Sequence, residues 1–359
     1  MIIPTPYEDE LLYSIIARYK AWNGIILDNK AMYDLFRTES RIQNVDLPTH
    51  IKAFAQRTGF DIEFLIHEAT LFDYYSAFKT KRIREAALSM IQGNTRNRID
   101  NALGIYKSKF MFAKLNYLRF CPECWEEDIK ISGESYWRKL HQVPGVVVCP
   151  THQRILHNSK VSNLTRCIDI ASKENCFPSK PILNLNEREL SLSLEIVKDI
   201  QWVFKNYKTI IKYDSLSPEI YLSKIIIENR FIMENIPCYL TTNDRFLGRF
   251  KQLYGNNLIN EWNLIIDKEW LYKTIFGFIN HPSSHILLIH ILYGSIENLF
   301  QLPDFMDFQS SYHQNKQNWF FSNVSDVYKS EIYSRIESYK SYYAHSKYVD
   351  HYEIPDYFN

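Results

Sequence analysis

The hydrophobic positions near the N-terminus recur at helical spacing. Leu12, Ile15, Ile16 and Tyr19 fall on one face of a predicted helix that covers residues 8–22. Comparable apolar patterns, several of them preceded by a polar residue that can cap a helix, continue along the chain. They predict helices over residues 28–36, 47–59, 62–71, 81–92 and 97–106.

The predicted helices on either side of Gly59 have the outline of a helix-turn-helix. Gly59 can adopt the left-handed conformation that ends one helix, and Asp61 can cap the next one. Many all-α domains share this outline, so alone it points only weakly to DNA binding.

The second half of the chain is also predicted to be helical. A polar connection over residues 159–188 is followed by apolar residues that again recur at helical spacing. The stretch 241–255 starts with polar cap residues and ends in Tyr-Gly, which is typical of half of a second helix-turn-helix. Val146–Val148 predicts one short β-strand, because these side chains are β-branched. The later predicted helices cover residues 190–206, 217–234, 242–254, 257–266, 268–279 and 283–299.

Two short pairs of metal-ligand type lie between these helical regions. Cys121-Pro-Glu-Cys124 places two thiols close enough to share one ion, and Cys149-Pro-Thr-His152 supplies a third thiol and an imidazole. A Cys3His set suits tetrahedral Zn2+ and fills all its positions, so no site is left for a catalytic water. The spacing therefore predicts a structural zinc in a ribbon or a pair of knuckles, and the alternative is reduced cysteines without a metal.

The other chemistry-bearing residues give weaker signals. A second metal held by Cys167, Cys176 and His157 is imaginable, but this spacing matches no known motif, so free cysteines are favoured. His141 is favoured as the maker of a structural hydrogen bond over a general base, because Pro144 and the second ligand pair follow it closely. Tyr136 and Trp137 are expected to pack over the zinc module, since so small a module has little other core.

The segment around the ligand pairs resembles the TniQ/TnsD family of transposon target-site selectors. That family's pattern runs C-P-x-C, then E-D, then G-x-x-Y-W-R-x-x-H-Q-(L/V)-P-G-V and C-P-x-H. Here Glu127-Asp128 takes the acidic place, and the run from Tyr136 to His152 reads Tyr-Trp-Arg-Lys-Leu-His-Gln-Val-Pro-Gly-Val-Val-Val-Cys-Pro-Thr-His. The opening segment Pro4–Arg18 and the segment His281–His290 also look like the family, so the resemblance covers roughly residues 1–300.

The resemblance implies an adaptor rather than an enzyme. Family members connect a target, which is DNA or a guide-RNA effector complex, to an AAA+ ATPase regulator that recruits the transposase. The resemblance also places the contact with the ATPase in the N-terminal segment, whose prolines favour an extended shape. The alternative is a strap that holds the first helix to the body. The expected partner-binding residues are Pro4, Pro6, Tyr7, Glu10 and Leu11.

Charge is uneven along the chain. The net charge is only +1, but residues 79–119 contain ten basic and two acidic residues, so the local charge is ten minus two, or +8. Such a stretch suits phosphate contact, although a solvated helical face is the alternative. The candidate nucleic-acid-binding residues are Lys79, Lys81, Arg82, Arg84, Arg96, Arg98, Asn243, Arg245, Arg249 and Lys251.

These patterns together predict a mainly α protein with five parts. They are a helical N-terminal domain with a helix-turn-helix outline (1–116), a zinc module (117–158), a linker (159–188), a helical C-terminal domain with a second candidate helix-turn-helix (189–302), and an aromatic, polar tail (303–359).

Several function classes are disfavoured by what the sequence lacks. It has no Gly-rich phosphate loop and no G-x-S-x-G elbow, so we expect no enzyme activity. The alternative from another class is a zinc-containing nucleic-acid enzyme such as a nuclease. No apolar run is long enough for a membrane span, and there is no signal-peptide pattern. With the family resemblance, this favours the bacterial cytoplasm, and the sequence leaves open whether the chain forms a homodimer.

Overall fold

The computed structural model describes residues 2–37, 45–93, 99–103, 105, 115–163, 167–213, 252–255, 257–260 and 281–301. This part of the chain is mostly helical and has few strands, as the sequence predicts. Within these ranges, no helix combines the length and the apolar character needed to cross a membrane.

Seven helices precede the first strand in the described N-terminal region. They are α1 (Leu12–Trp22), α2 (Asp28–Phe36), α3 (Ile51–Thr58), α4 (Ile62–His67), α5 (Phe72–Ser76), α6 (Lys81–Gln92) and α7 (Ile99–Ala102). Gly59 ends α3 with φ of 80°, and the side chain of Asp61 accepts a hydrogen bond from Phe64 N, as expected for these two caps. Helix α3 starts at Ile51 rather than at residue 47, and its N-cap His50 is in the left-handed region.

A small mixed module follows. It contains β1 (Tyr117–Phe120), α8 (Pro122–Ser132), a 3-10 turn (Leu140–Gln142), β2 (Val148–Cys149), β3 (Arg154–Ile155), β4 (His157–Ser162) and α9 (Lys173–Cys176). Strands β1 and β4 pair antiparallel, and β2 and β3 form a second antiparallel pair. The expected module boundary at residue 158 therefore falls inside β4, because β4 completes the sheet that β1 begins.

The described part of the C-terminal region packs on both of these units. It contains the long helix α10 (Glu187–Tyr213), α11 (Pro282–Tyr293) and α12 (Ile296–Phe300), and residues 252–255 and 257–260 are also helical. Helix α10 extends beyond the predicted end at residue 206. The predicted helix over residues 283–299 is divided, since Gly294 ends α11 with φ of 79°.

The N-terminal helices and α11 share one buried interface. The ring of His281 packs edge-on against Tyr74 and Tyr75, at centroid distances of 6.2 and 5.9 Å. His285 stacks on Phe78 at 5.3 Å. Burial lowers the pKa of His281 to about 3, so this imidazole is neutral near pH 7. The segment His281–His290 thus joins α11 to α5 and to the residues that follow α5.

Several predicted elements lie outside the described residues. These are the helices over 217–234 and 268–279, most of those over 242–254 and 257–266, and the 303–359 tail.

Candidate metal centre and its surroundings

The four predicted metal ligands come together from two turns of the module. Cys121 is the N-cap of α8 and Cys124 lies in its first turn, with Pro122 at the first helical position. Cys149 ends β2, and His152 lies in the turn that leads into β3. Because the first turn of a helix and a tight hairpin turn both bring nearby side chains to one side, each C-x2-C or C-x2-H pair converges on one point.

The distances within this cluster fit one tetrahedral ion. The donor atoms of Cys121, Cys124, Cys149 and His152 all lie within 4.8 Å of one another. Cys124 Sγ is 3.6 Å from Cys149 Sγ and 3.3 Å from His152 Nδ1. Bonds of about 2.3 Å to sulfur and about 2.0 Å to nitrogen, at tetrahedral angles, require donors about 3.5–3.8 Å apart. All three thiols are buried and none forms a disulfide. The cluster can therefore bind a metal ion.

The charges of the three thiols also favour a bound cation. Hydrogen bonding from Cys121 and Cys124 lowers the pKa of Cys149, whereas hydrogen bonding with Cys124 and Cys149 raises the pKa of Cys121. The three sulfurs thus ionise in competition, since like charges this close repel each other. A divalent cation removes the competition by binding all three as thiolates.

Two further side chains hold the ligands in place. His152 Nε2 lies 3.1 Å from Glu127 Oε1, so a ring that binds a metal through Nδ1 can donate its other N–H to this carboxylate. Buried His141 lies beside Cys149 and contributes to the lowered pKa of that thiol. Trp137 is buried too, and its Nε1 donates to Asp169 O at 2.8 Å.

The two other cysteines among the described residues, Cys167 and Cys176, lie apart from this centre. Cys167 is exposed and Cys176 is buried. His157 Nδ1 is 2.8 Å from Ser179 Oγ. In the described part of the chain, none of the three belongs to a donor group close enough to hold an ion.

The two acidic residues that follow the first ligands, Glu127 and Asp128, have different partners. Glu127 faces His152, whereas Asp128 turns inward and accepts two hydrogen bonds from Arg138, at 2.7 and 2.8 Å. Ser135 Oγ also donates to Asp128. This bidentate pair fixes α8 to the segment that follows Gly133, and so it sets where the Cys121–Cys124 turn sits.

The N-terminal segment packs on this same part of the module. Tyr7 stacks on Tyr136 at 4.8 Å, and Arg18 lies over the Tyr7 ring at 4.1 Å. Arg18 bridges two carboxylates, with Nη1 2.7 Å from Glu10 Oε2 and Nη2 2.7 Å from Glu134 Oε1. The first residues are therefore tied to the ligand-bearing module by Arg18, and Leu11 N also donates to Trp137 O.

The expected partner-binding residues differ in their access to solvent. Pro4, Glu10 and Leu11 are buried, while Pro6 and Tyr7 are half-buried. The exposed side chains of the segment are Ile2, Thr5 and Glu8. This packing agrees with the alternative that the segment is a strap. A partner protein would contact the segment at these exposed positions.

The expected nucleic-acid-binding residues also separate by burial. Lys79 and Arg84 are 3% and 7% exposed, and burial lowers the pKa of Lys79 to about 7. Arg84 donates to the carbonyl oxygens of Lys79 and Ile211, which makes it a connection between helices. Both residues are placed poorly for phosphate contact, whereas Lys81 and Arg82 are exposed. The remaining candidates, Arg96, Arg98, Asn243, Arg245, Arg249 and Lys251, lie outside the described residues.

The fold and the cluster define a mainly helical protein with a Cys3His group that could hold a metal ion. Residues 1–156 match the model of the TniQ family, as the sequence motifs indicated. Over 153 residues the chain is 29% identical to the transposon Tn7 transposition protein TnsD of Escherichia coli. The aligned region is 42% of this chain and 30% of TnsD, so the chain spans under a third of that relative.

The roles of Glu127, Asp128 and Arg138 were not predicted from the sequence, although the sequence contains residues that indicate helix α8. Pro122 at the first helical position and Gly133 with φ of 74° are the usual start and stop of a helix. They predict α8, and α8 places Cys124 and Glu127 on neighbouring turns and Asp128 one position further round.

Proposed function

We propose that the chain is a target-selection adaptor of DNA transposition. The match of residues 1–156 to the TniQ family carries this proposal. The similarity to TnsD, itself named as a transposition protein, agrees with it. In this role the chain binds a target, which is DNA or a guide-RNA effector complex, and recruits an AAA+ ATPase regulator of the transposon.

The ion that we propose for the Cys3His cluster is Zn2+, and its role is structural. Cys121, Cys124, Cys149 and His152 would hold it, and Zn2+ would supply positive charge that stabilises the three thiolates. The protein's own contribution is to orient the ligands. Glu127 fixes the His152 ring, and buried His141 lies beside Cys149. Because four protein ligands complete the tetrahedron, we assign the site no catalytic step.

The N-terminal segment is our proposed contact for the ATPase. Ile2 is 59% exposed, and Thr5 and Glu8 are exposed as well, so these side chains can reach a partner while Tyr7 stays stacked on Tyr136. Preordering by this stacking lowers the entropy lost when the segment binds.

The test is to identify what the chain binds. The tagged full chain is purified from cells that carry its transposon, and the co-purifying proteins and nucleic acids are determined. We expect an AAA+ ATPase, together with target DNA or a guide RNA and its effector proteins. The Cys124→Ser variant, which loses one metal ligand, serves as the control and should lose these partners. Recovery of a metal-dependent nuclease activity with no transposition protein would contradict the proposal.

A further inference from the structure

The exposed face of α10 carries a row of lysines. Its members, Lys198, Lys205, Lys208 and Lys212, are spaced seven, three and four residues apart and all are exposed. At about 100° per residue they fall within about 80° of one another around the helix. The exposed Gln201 lies within the same arc. We call these four lysines the α10 lysine row.

The two acidic residues nearest the row, Glu195 and Asp199, both lie close to His290 of α11. Asp199 is buried, and its two carboxylate oxygens lie 2.9 Å from His290 Nδ1 and 2.9 Å from Ile296 N. Glu195 lies 3.4 Å from His290 Nε2. From Ile200 to Tyr213 the sequence contains no acidic residue. The contact with α11 and α12 therefore takes up the charge of Asp199, and from Lys198 to Lys212 the outer face of α10 carries no acidic residue.

A second basic element adjoins the end of this row. Arg84 Nη2 donates to Ile211 O at 3.3 Å, which brings the first turns of α6 against the last turn of α10. The same end of α6 presents Lys81 and Arg82 to solvent. Lys81 is 3.9 Å from Glu85 and its side chain is 73% exposed, so this surface ion pair is weak. The exposed basic residues at the start of α6 thus lie near the end of the α10 lysine row.

The dimensions of this surface fit a nucleic-acid backbone. Lys198 to Lys212 spans about 21 Å at about 1.5 Å per residue, which is the axial length of about six base pairs at about 3.4 Å each. A rigid helix with lysines on one face can thus follow several phosphates. Lysine contacts of this kind carry no sequence information, so the row would hold the duplex while other residues choose the site.

We propose that the α10 lysine row, extended by Lys81 and Arg82, binds the phosphate backbone of double-stranded DNA. This inference rests on the proposed role in target selection and places the DNA contact on a helix that the sequence motifs did not single out. Each lysine that contacts a phosphate displaces a counterion, so binding should depend steeply on salt.

The experiment measures DNA affinity of the full chain against salt. Fluorescence anisotropy with a duplex of about 30 base pairs gives the slope of log K against log salt, and RNA of the same length is the second probe. The test variant is Lys198→Gln/Lys205→Gln/Lys208→Gln. The control is Lys130→Gln/Lys173→Gln/Lys180→Gln, which removes equal charge from exposed lysines elsewhere. Circular dichroism confirms that both variants are folded.

We expect the test variant to lower the slope by about 2.7, at about 0.9 per lost contact, and to bind at least about tenfold more weakly at about 0.1 M salt. The control variant should stay close to the wild type. An equal loss of DNA affinity in both variants, or an unchanged salt slope in the test variant, overturns the inference. DNA binding by the wild type would in that case still support the adaptor role. Binding of RNA alone, or of neither probe, also overturns the inference, and the co-purification experiment then decides the adaptor role separately.

Discussion

The guanidinium of Arg18 and the carboxylate of Glu10 form a buried ion pair, with Nη1 and Oε2 2.7 Å apart and side-chain exposures of 2% and 0%. Glu10 also accepts hydrogen bonds from Tyr7 N and Ser14 Oγ. Ser14 Oγ in turn accepts from Trp137 N at 3.0 Å. This network joins the N-terminal segment, α1 and the metal-binding module into one unit.

Removal of Arg18 should therefore destabilise the protein strongly. Above the pKa of Glu10, where this buried carboxyl is ionised, Arg18→Ala leaves it without its counter-ion, which costs about 3–5 kcal/mol. The control is Lys81→Ala, which breaks an exposed ion pair with Glu85 and should cost less than about 1 kcal/mol. Urea unfolding followed by circular dichroism measures both. Similar losses in the two variants would show that the Arg18 pair contributes no more than a surface pair.

Glu10 also predicts a pH dependence of stability. Burial raises the pKa of Glu10 from 4.5 to about 7, although Arg18 opposes the shift. A raised pKa means that the folded state holds a proton that the unfolded state releases. The contribution of Glu10 is thus fully present below about 4.5 and is lost as the pH rises to about 7, by at most about 1.4 kcal/mol per unit.

The measurement compares the wild type with Glu10→Gln, which cannot ionise. The free energy of unfolding of the wild type, relative to the variant, should fall between pH 4.5 and about 7, the two pKa values of this carboxyl. A difference that stays constant or rises over this window would contradict the shift.

The metal site predicts that folding of the module depends on one ion. Cys124→Ser removes a buried ligand and should abolish stoichiometric zinc and unfold the segment around β1, α8 and β2, because binding energy at such sites is folding energy. Cys167→Ser, which changes an exposed cysteine outside the cluster, should keep both the zinc and the fold. Mass spectrometry of metals and circular dichroism decide this. A folded wild type without metal would refute the site.

Substitution of Glu127 should weaken metal binding at the same centre without abolishing it. Glu127→Gln weakens the hydrogen bond that orients His152, so metal affinity should fall by about 10–100-fold while the fold is retained at excess zinc. Glu126→Gln removes the same charge from an exposed neighbour on α8 and is the matched control. Competition with a chromophoric chelator gives both affinities. Equal affinities for the two variants would leave Glu127 without this role.

Changes in the N-terminal segment should weaken recruitment of the ATPase while target binding is kept. Deletion of residues 1–7 should weaken recruitment but also removes the Tyr7 stack, so exposed positions give the sharper test. Ile2→Asp/Thr5→Asp/Glu8→Arg changes side chains that face solvent and should weaken recruitment while target binding is kept. Ile131→Asp, at a side chain 84% exposed on α8, is the control. Unchanged recruitment by the triple variant would favour the strap interpretation.

The metal ligands could be predicted from the sequence because each pair is local. Cys121 with Cys124, and Cys149 with His152, are three residues apart, and this spacing alone brings their donor atoms together. The helix boundary at Gly59 could likewise be predicted, because a nearby glycine in the left-handed region ends the helix.

Other features could not be predicted because they join distant segments. Arg18 and Glu134 are 116 positions apart, and no local sequence pattern at either residue indicates that they pair. The pairing of Tyr117 with Ser162 similarly depends on the whole module being folded. The α10 lysine row is an intermediate case, since its spacing is visible in the sequence but its exposure depends on how α11 and α12 pack.

The most direct test of target selection is to map where the transposon inserts. Insertions are sequenced in cells that contain the complete element, in cells that lack this chain, and in cells that carry the Cys124→Ser variant. We predict that insertions at the preferred target disappear without the chain and are not restored by the variant. The same frequency and distribution of insertions in all the cells would contradict the claim that this protein selects the target.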